Sequence, residues 1–137
     1  MNWQASTGAN LVMPGSVETI AEPRTVTAAG DVAGDWLCAW CLNRVATERD
    51  RFQYEGKDEF SFTNPSGIRF EIITFSQALN CRQTGVPTLE HTWFAGCAWS
   101  FCQCDRCSQH LGWYYAGQYH FVGLIKNRIT RALFARN

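Results

Sequence analysis

The strongest constraint on how this chain can fold is a pair of Cys-x-x-Cys motifs, at residues 38–41 and 104–107. Each motif can present two sulfurs along one edge of a tetrahedron, and two such pairs complete a four-cysteine zinc site with Zn–S bonds of about 2.3 Å. That site leaves no coordination position open for water, so the ion would be structural. We therefore predict one structural Zn²⁺ held by Cys38, Cys41, Cys104 and Cys107.

The long gap between the motifs requires the fold to bring two distant hairpins together across an intervening sheet. The alternative is a disulfide or redox use of these cysteines. Disulfides fit oxidising compartments, and the chain shows no export signal. Seven cysteines also leave one thiol unpaired in any intramolecular disulfide set. We expect Cys81, Cys97 and Cys102 to be small apolar residues, buried or half-buried, and only Cys81, beside Arg82, has a neighbour that could activate a thiol.

Charge and length limit the function classes. The 137 residues hold 12 Lys and Arg against 12 Asp and Glu, and this neutral balance argues against a nucleic-acid partner. No run of about 18 apolar residues is present, and the first residues lack the basic and apolar regions of a signal peptide. We expect a soluble, cytoplasmic protein with no membrane partner, and a single domain of common size.

Two regions differ in composition. Residues 1–34 are small and polar with few large apolar side chains, which favours a flexible N-terminal arm, although packing of part of it as an edge strand stays open. Residues 35–137 form the folded domain in this interpretation. Short apolar and aromatic runs separated by turns predict mostly antiparallel β structure. The predicted strands span residues 60–63, 68–75, 93–101 (interrupted at Gly96), 111–115 and 119–125, and the one helical apolar stripe spans residues 124–134.

Aromatic residues are concentrated in the second half of the domain. Trp113 and Tyr115 are two apart on a predicted strand and so project from one face. Trp93 and Trp99 lie on either side of a bend that contains Gly96. If the sheet brings these segments together, three indoles and a phenol can wall a small pocket. The same residues could equally be ordinary core, because aromatics dominate cores and interfaces alike.

At these residues the sequence resembles the CULT domain family, the cereblon-type thalidomide-binding domains. The resemblance covers nearly all of residues 35–137, and the arm lies outside it. The segments that carry it are 38–41, the Asn-Pro pair at 64–65 with Gly67, 90–99, 104–113 and 121–129. The resemblance implies a β-tent fold, with two antiparallel sheets pinned at one end by the four-cysteine zinc.

The resemblance also implies a non-enzymatic module that holds a cyclic imide in a three-Trp aromatic cage. The implied ligands are a glutarimide, a thalidomide-type compound, a uracil-like ring or a C-terminal cyclic imide on a protein. The loop at 91–93 is expected to supply backbone hydrogen bonds, and Asn64 with Pro65 to approach the rim. The implied ligand-binding residues are Asn64, Pro65, Glu90, His91, Thr92, Trp93, Trp99, Trp113 and Tyr115.

Two other functions remain open. A cage of three Trp and a Tyr near Glu90 could bind a methylated ammonium group. The cysteine motifs are also similar to those of methionine-R-sulfoxide reductases, but those enzymes need a nucleophilic Cys after the second motif, and none follows Cys107. The arm is too short for a ligase-adaptor domain. We therefore expect a monomer that binds its ligand without recruiting a ligase.

Overall fold

The computed structural model describes residues 34–132, and its strands form two antiparallel β-sheets. The small sheet has the strand order β2-β1-β9, and the large one has the order β3-β4-β8-β7-β6-β5. This confirms the predicted mostly β class with two antiparallel sheets. The strands are β1 (Asp35–Cys38), β2 (Arg44–Thr47), β3 (Glu59–Thr63), β4 (Arg69–Phe75), β5 (Cys81–Thr88), β6 (Ala98–Cys104), β7 (His110–Ala116), β8 (His120–Ile125) and β9 (Ile129–Arg131).

Each face of the large sheet has its own apolar cluster. Alternate residues of a strand point to opposite faces. In β8, Val122 belongs to the cluster shared with Trp36 and Val45 of the small sheet, whereas its neighbour Phe121 belongs to an aromatic cluster on the other face. The first cluster joins the two sheets. The second is covered by the loop at residues 89–97 and by the segment at residues 51–58.

A β-bulge near the start of β7 decides which side chains reach the aromatic face. Cys102 pairs with Gly112 and Gln103 pairs with His110, so Leu111 is an extra residue in β7. An extra residue shifts the in-and-out alternation of a strand by one position. Leu111 therefore packs in the cluster between the sheets, and the His110 ring lies 5.1 Å from Trp113 on the aromatic face.

One predicted element is wrong within the described residues. The helix expected over residues 124–134 is instead the end of β8, a 3-10 turn at Lys126–Arg128 and the strand β9. Tertiary pairing explains the difference, because Leu124 pairs with Ile73 in the large sheet and Ile129 pairs with Cys38 in the small one. Residues 133–137 lie outside the described part.

Two predicted strands are shorter than expected. The strand predicted over 93–101 begins only at Ala98, because residues 89–97 form a loop, and Ile68 belongs to the turn before β4. The predicted arm falls almost entirely on residues 1–33, outside the described residues, so its conformation stays a prediction. Between residues 34 and 132, no helix is both long and apolar enough to cross a membrane.

Candidate metal centre and aromatic site

The structure brings the two Cys-x-x-Cys motifs together. The Sγ atoms of Cys38 and Cys107 lie 3.6 Å apart, and those of Cys41 and Cys104 lie 3.5 Å apart. All four sulfurs are within 4.8 Å of one another. A tetrahedron with bonds of about 2.3 Å has edges of about 3.8 Å, so these separations fit four ligands of one ion, and they exceed the roughly 2.05 Å of a disulfide.

The two motifs have the same local conformation. In the first, Leu42 donates its N–H to the Cys38 carbonyl (2.8 Å), and in the second Ser108 donates to the Cys104 carbonyl (2.9 Å). Leu42 and Ser108 both have positive φ, at 63° and 68°. This left-handed residue closes each turn so that the two sulfurs of one motif point to the same side. The first motif joins β1 to β2 and the second joins β6 to β7, so the cluster ties the small sheet to the large one.

The thiols differ in their electrostatic surroundings. Burial raises the pKa of Cys38 and of Cys41. Burial also acts to raise the pKa of Cys104, but hydrogen bonds from backbone N–H groups and from the Asn43 amide outweigh it and leave that pKa lowered. Asn43 Nδ2 and the backbone N–H of Arg106 each lie 3.4 Å from the Cys104 sulfur. N–H groups aimed at a sulfur stabilise its thiolate, the form that binds a metal.

The three remaining cysteines are all buried, as predicted. Cys81, Cys97 and Cys102 are at most 2% exposed, so none of these thiols faces solvent. Burial raises the pKa of Cys97, and a neighbouring Cys102 together with burial raises that of Cys81. Such surroundings disfavour the reactive thiolate.

Trp93 is the centre of the aromatic site. Its indole stacks on Phe62, with ring centroids 4.9 Å apart and an interplanar angle of 13°. Trp113 meets it edge to face at 5.0 Å, and Phe70 lies at 6.0 Å. Trp93, Phe62 and Phe70 are half-buried, whereas Trp113 is fully buried. The structure thus places the Trp93 and Trp113 rings in contact and adds two phenylalanines beside them.

The Trp99 side chain anchors the loop that carries Trp93 by a hydrogen bond. It is 2% exposed, and its indole N–H donates to the carbonyl of Glu90 at 2.8 Å. Across the same loop, the hydroxyl of Thr92 donates to the carbonyl of Cys97 at 2.6 Å. Between these two attachments His91 has a φ of 59°, a left-handed conformation that is costly for a residue with a side chain. The loop is thus held in one shape.

Tyr115 lies further along the same face of β7. It packs against Phe94 at 4.7 Å and stacks on Phe121 at 5.2 Å. Trp93 and Phe94 are adjacent in the loop and both contact Phe62, and Phe94 also contacts Tyr54. The structure therefore places Tyr115 beneath Phe94.

Asn64, Pro65 and Glu90 were also predicted to bind the ligand. Asn64 is buried, and its Oδ1 accepts hydrogen bonds from the backbone N–H groups of Ser66 and Ile68, both at 2.9 Å. Its side-chain oxygen therefore shapes the β3–β4 turn. Pro65 is exposed in that turn. The Glu90 carboxylate is exposed and lies 3.6 Å from the His91 imidazole.

Sequence reasoning missed Phe62 and Phe70. They are direct cross-strand partners in the β3–β4 hairpin, so both rings project from one face toward Trp93. The alternation along the hairpin and its Asn-Pro-Ser-Gly turn were visible in the sequence. The sequence did not show which segment packs on that face, because the loop at 89–97 comes to lie against the hairpin only in the tertiary structure.

A histidine and an arginine support the buried side of the site. The His110 ring packs on Trp113 and on Phe101. Arg128 donates to the His110 carbonyl at 2.9 Å and lies 3.5 Å from its Nδ1, while Nε2 contacts the Gly112 carbonyl at 2.9 Å. Burial, followed by the Arg128 charge, lowers the pKa of His110 to about 4. The imidazole beneath Trp113 is therefore neutral at physiological pH.

The fold and these two features together define a class, a two-sheet antiparallel β domain with a four-cysteine group that could hold a metal ion and an aromatic cluster around Trp93. No family model matches the chain. Over 53 residues, 39% of this chain, it is 42% identical to protein cereblon of Gallus gallus and of Danio rerio. Over 81 residues, 57% of this chain, it is 28% identical to protein cereblon of Drosophila willistoni.

The chain thus carries a cereblon-like segment, and the resemblance inferred from the motifs is confirmed over that length. The match spans only 12% of the length of the chicken and zebrafish proteins. The activity and partners of those longer proteins therefore come to this chain only as proposals.

Proposed function

We propose that this chain is a non-enzymatic binding module that holds a small cyclic imide in the aromatic site, with Zn²⁺ in the cysteine cluster. The observation that carries the proposal is the pairing of Trp93 with Trp113 beside a loop held rigidly by Trp99 and Thr92. A neutral imide ring has apolar methylene faces that indoles can enclose. It also has one N–H and two C=O groups that need partners once water is excluded.

The loop at 89–97 is the proposed source of those partners. The peptide group of His91 lies in its left-handed turn, between the Glu90 carbonyl that Trp99 binds and the Thr92 hydroxyl that binds Cys97. Backbone groups in a fixed turn lose little entropy on binding. Because Trp113 is fully buried under Trp93, Phe70 and His110, a bound ring reaches its face only if one of these side chains shifts.

Zn²⁺ is the proposed metal because four thiolates in a near-tetrahedral arrangement suit it, and because four cysteines leave no open position for catalysis. Zinc would link β1–β2 to β6–β7 and so hold the sheets together. The proposed role is structural, and the imide site would not contact the ion.

Two rival functions are less well supported. A methylated-ammonium reader needs a site that stabilises positive charge, but the guanidinium of Arg128 already lies 5.9 Å from the Phe70 ring that bounds the site. A sulfoxide reductase needs an accessible thiolate, and the thiols outside the cluster are buried.

Isothermal titration calorimetry of the zinc-loaded protein tests the proposal, with glutarimide, N-methylglutarimide and tetramethylammonium as ligands. We expect glutarimide to bind and the N-methyl compound to bind roughly tenfold or more weakly, because one buried hydrogen bond is lost. We expect no binding of tetramethylammonium. The variant Trp93→Ala should lose glutarimide binding, whereas Trp40→Ala, at an exposed indole beside the cysteine cluster, should keep it. Binding of tetramethylammonium in place of glutarimide would contradict the proposal.

A further inference from the structure

Arg128 differs from the other half-buried basic residues in its lack of an acidic partner within residues 34–132. The others each have a carboxylate oxygen at 3.0–3.7 Å, and they are Arg44, Arg51, Arg82 and Arg131. A charge that is partly removed from water is normally paired, because the loss of hydration is costly. Burial accordingly lowers the pKa of Arg128. Its positive charge is therefore not balanced by any carboxylate of the described chain.

Arg128 is held in a fixed position beside the aromatic site. Its carbonyl accepts a hydrogen bond from the Ala39 N–H at 3.0 Å, and its Nη1 donates to the His110 carbonyl at 2.9 Å. The central carbon of its guanidinium lies 5.9 Å from the centre of the half-buried Phe70 ring. A cation that is already fixed loses little conformational entropy when it binds an anion.

One edge of the Arg128 guanidinium is open to a ligand. A guanidinium has five N–H donors in a planar fork. The polar contacts of Arg128 within residues 34–132 come from Nη1, which faces the carbonyl and Nδ1 of His110. Nε and Nη2 have no such partner in this range, and neither is fully buried, so both can be reached from solvent. Two parallel N–H groups of this kind match the two oxygens of a carboxylate.

We propose that Arg128 is an anion-binding residue at the border of the aromatic site, which binds the carboxylate of a small aromatic acid. The carboxylate would accept hydrogen bonds from Nε and Nη2 and balance the charge of the guanidinium. The ring of the acid would lie against the accessible part of Phe70. This site does not depend on the proposed imide function, because it recognises a negative charge and not an imide.

Calorimetry on the zinc-loaded full chain tests the proposal with benzoate, its neutral analogue benzamide, and acetate. We expect benzoate to bind about tenfold more tightly than benzamide, because only the carboxylate pairs with the guanidinium. It should bind roughly threefold or more tightly than acetate, which lacks the ring. Raising the salt concentration from about 0.05 to about 0.5 M should weaken benzoate binding several-fold and leave benzamide binding unchanged.

Arg128→Gln should lower the affinity for benzoate to that for benzamide. Arg49→Gln is the matched control, because it changes the net charge equally at an exposed arginine, and it should keep the preference of the wild type. Thermal unfolding and zinc content show whether each variant is folded. If Arg128→Gln is not folded, Arg128→Lys takes its place, and the preference should fall about threefold because an ammonium lacks the paired donors.

The outcomes also separate this proposal from the imide function. Equal affinities for benzoate and benzamide, or an equal loss of preference in Arg49→Gln, overturn the anion site. Acetate that binds as tightly as benzoate overturns the contribution of the aromatic ring. A protein that prefers benzoate but does not bind glutarimide keeps the anion site and contradicts the proposed function. One that binds glutarimide without preferring benzoate to benzamide overturns the anion site alone.

Discussion

The cysteine cluster and the aromatic site are built in different ways. The cluster consists of two copies of one local turn, in which the residue after the second cysteine has positive φ and donates to the carbonyl of the first cysteine. The aromatic site takes Trp93 from a loop, Phe62 and Phe70 from a hairpin and Trp113 from a central strand. Short motifs thus specify most of the first site. The second depends on how distant segments pack.

The two sites also differ in what stabilises them. In the cluster a metal would bind folded but not unfolded chain, so its binding energy contributes directly to folding. In the aromatic site, each ring contact contributes about 0.5–1.5 kcal/mol beyond the burial of its area. Damage to the cluster should therefore affect the whole domain, whereas damage to the aromatic site should stay local.

The largest expected effect is that of Cys104→Ser. Loss of one of four ligands should release the metal, whose binding to structural sites contributes about 10–16 kcal/mol. The variant should lack a cooperative thermal transition and bind less than one equivalent of zinc, measured by circular dichroism and elemental analysis. Its control is Cys97→Ser, which removes a buried thiol outside the cluster and should cost about 1 kcal/mol with zinc retained. A Cys104→Ser variant that unfolds like the wild type would remove the distinction between the two sites.

An intermediate effect on stability should follow from protonation of His110, whose ring packs on Trp113 in the aromatic cluster. Its pKa is lowered to about 4 in the folded chain, from an ordinary value of 6.5. At pH values between these two, the unfolded chain therefore binds more protons than the folded chain. Stability is therefore full above about pH 6.5 and is lost as the pH falls toward 4. Between pH 7 and pH 5 the loss should be about 2 kcal/mol.

Urea unfolding at the two pH values measures this loss. His110→Gln should lack this component of the pH dependence, and His120→Gln, at an exposed histidine, should retain it. Release of metal at low pH affects all three proteins, so the difference between them isolates His110. Equal pH dependence in His110→Gln and the wild type would show that the imidazole is not held neutral.

The smallest expected effect is that of Asn64→Ala. Its Oδ1 accepts two backbone hydrogen bonds in the turn of the hairpin that carries Phe62 and Phe70. The loss should lower the free energy of unfolding by about 1–2 kcal/mol and weaken glutarimide binding, while zinc content stays at one equivalent. Denaturant unfolding and calorimetry measure these changes, and Asn127→Ala, at an exposed position, is the control. Unchanged binding would show that the hairpin does not shape the aromatic site.

The cysteine cluster could be predicted from the sequence more fully than the aromatic site, because local turns form the first and the packing of distant segments forms the second. Cys38, Cys41, Cys104 and Cys107 were predicted together, because the spacing of a metal-binding turn is local and can be recognised without the fold. The β3–β4 hairpin was predicted for the same reason. The helix expected near the C-terminus was wrong because the pairing of Ile129 with Cys38 overrides the local apolar pattern.

Within the aromatic site, the sequence supplied Trp93 and Trp113 but not their neighbours. Phe62 and Phe70 alternate along a strand in the way that any half-buried hairpin does, and nothing local shows that the loop at 89–97 covers them. His110 reaches Trp113 only because a bulge at Leu111 reverses the alternation of β7. A bulge of this kind leaves no clear sign in residue types.

The sequence by itself determined the mostly β class and the four clustered cysteines, and it singled out Trp93 and Trp113, which are in contact in the aromatic cluster. Each depends on residue type and short spacing, which act through local backbone geometry. Only the tertiary structure decided which rings surround Trp93 and that Tyr115 packs beneath Phe94. It also decided that the Asn64 side chain accepts a hydrogen bond within the β3–β4 turn. These depend on strand register and on contacts between segments far apart in the chain, and a one-residue shift in register places a side chain on the opposite face.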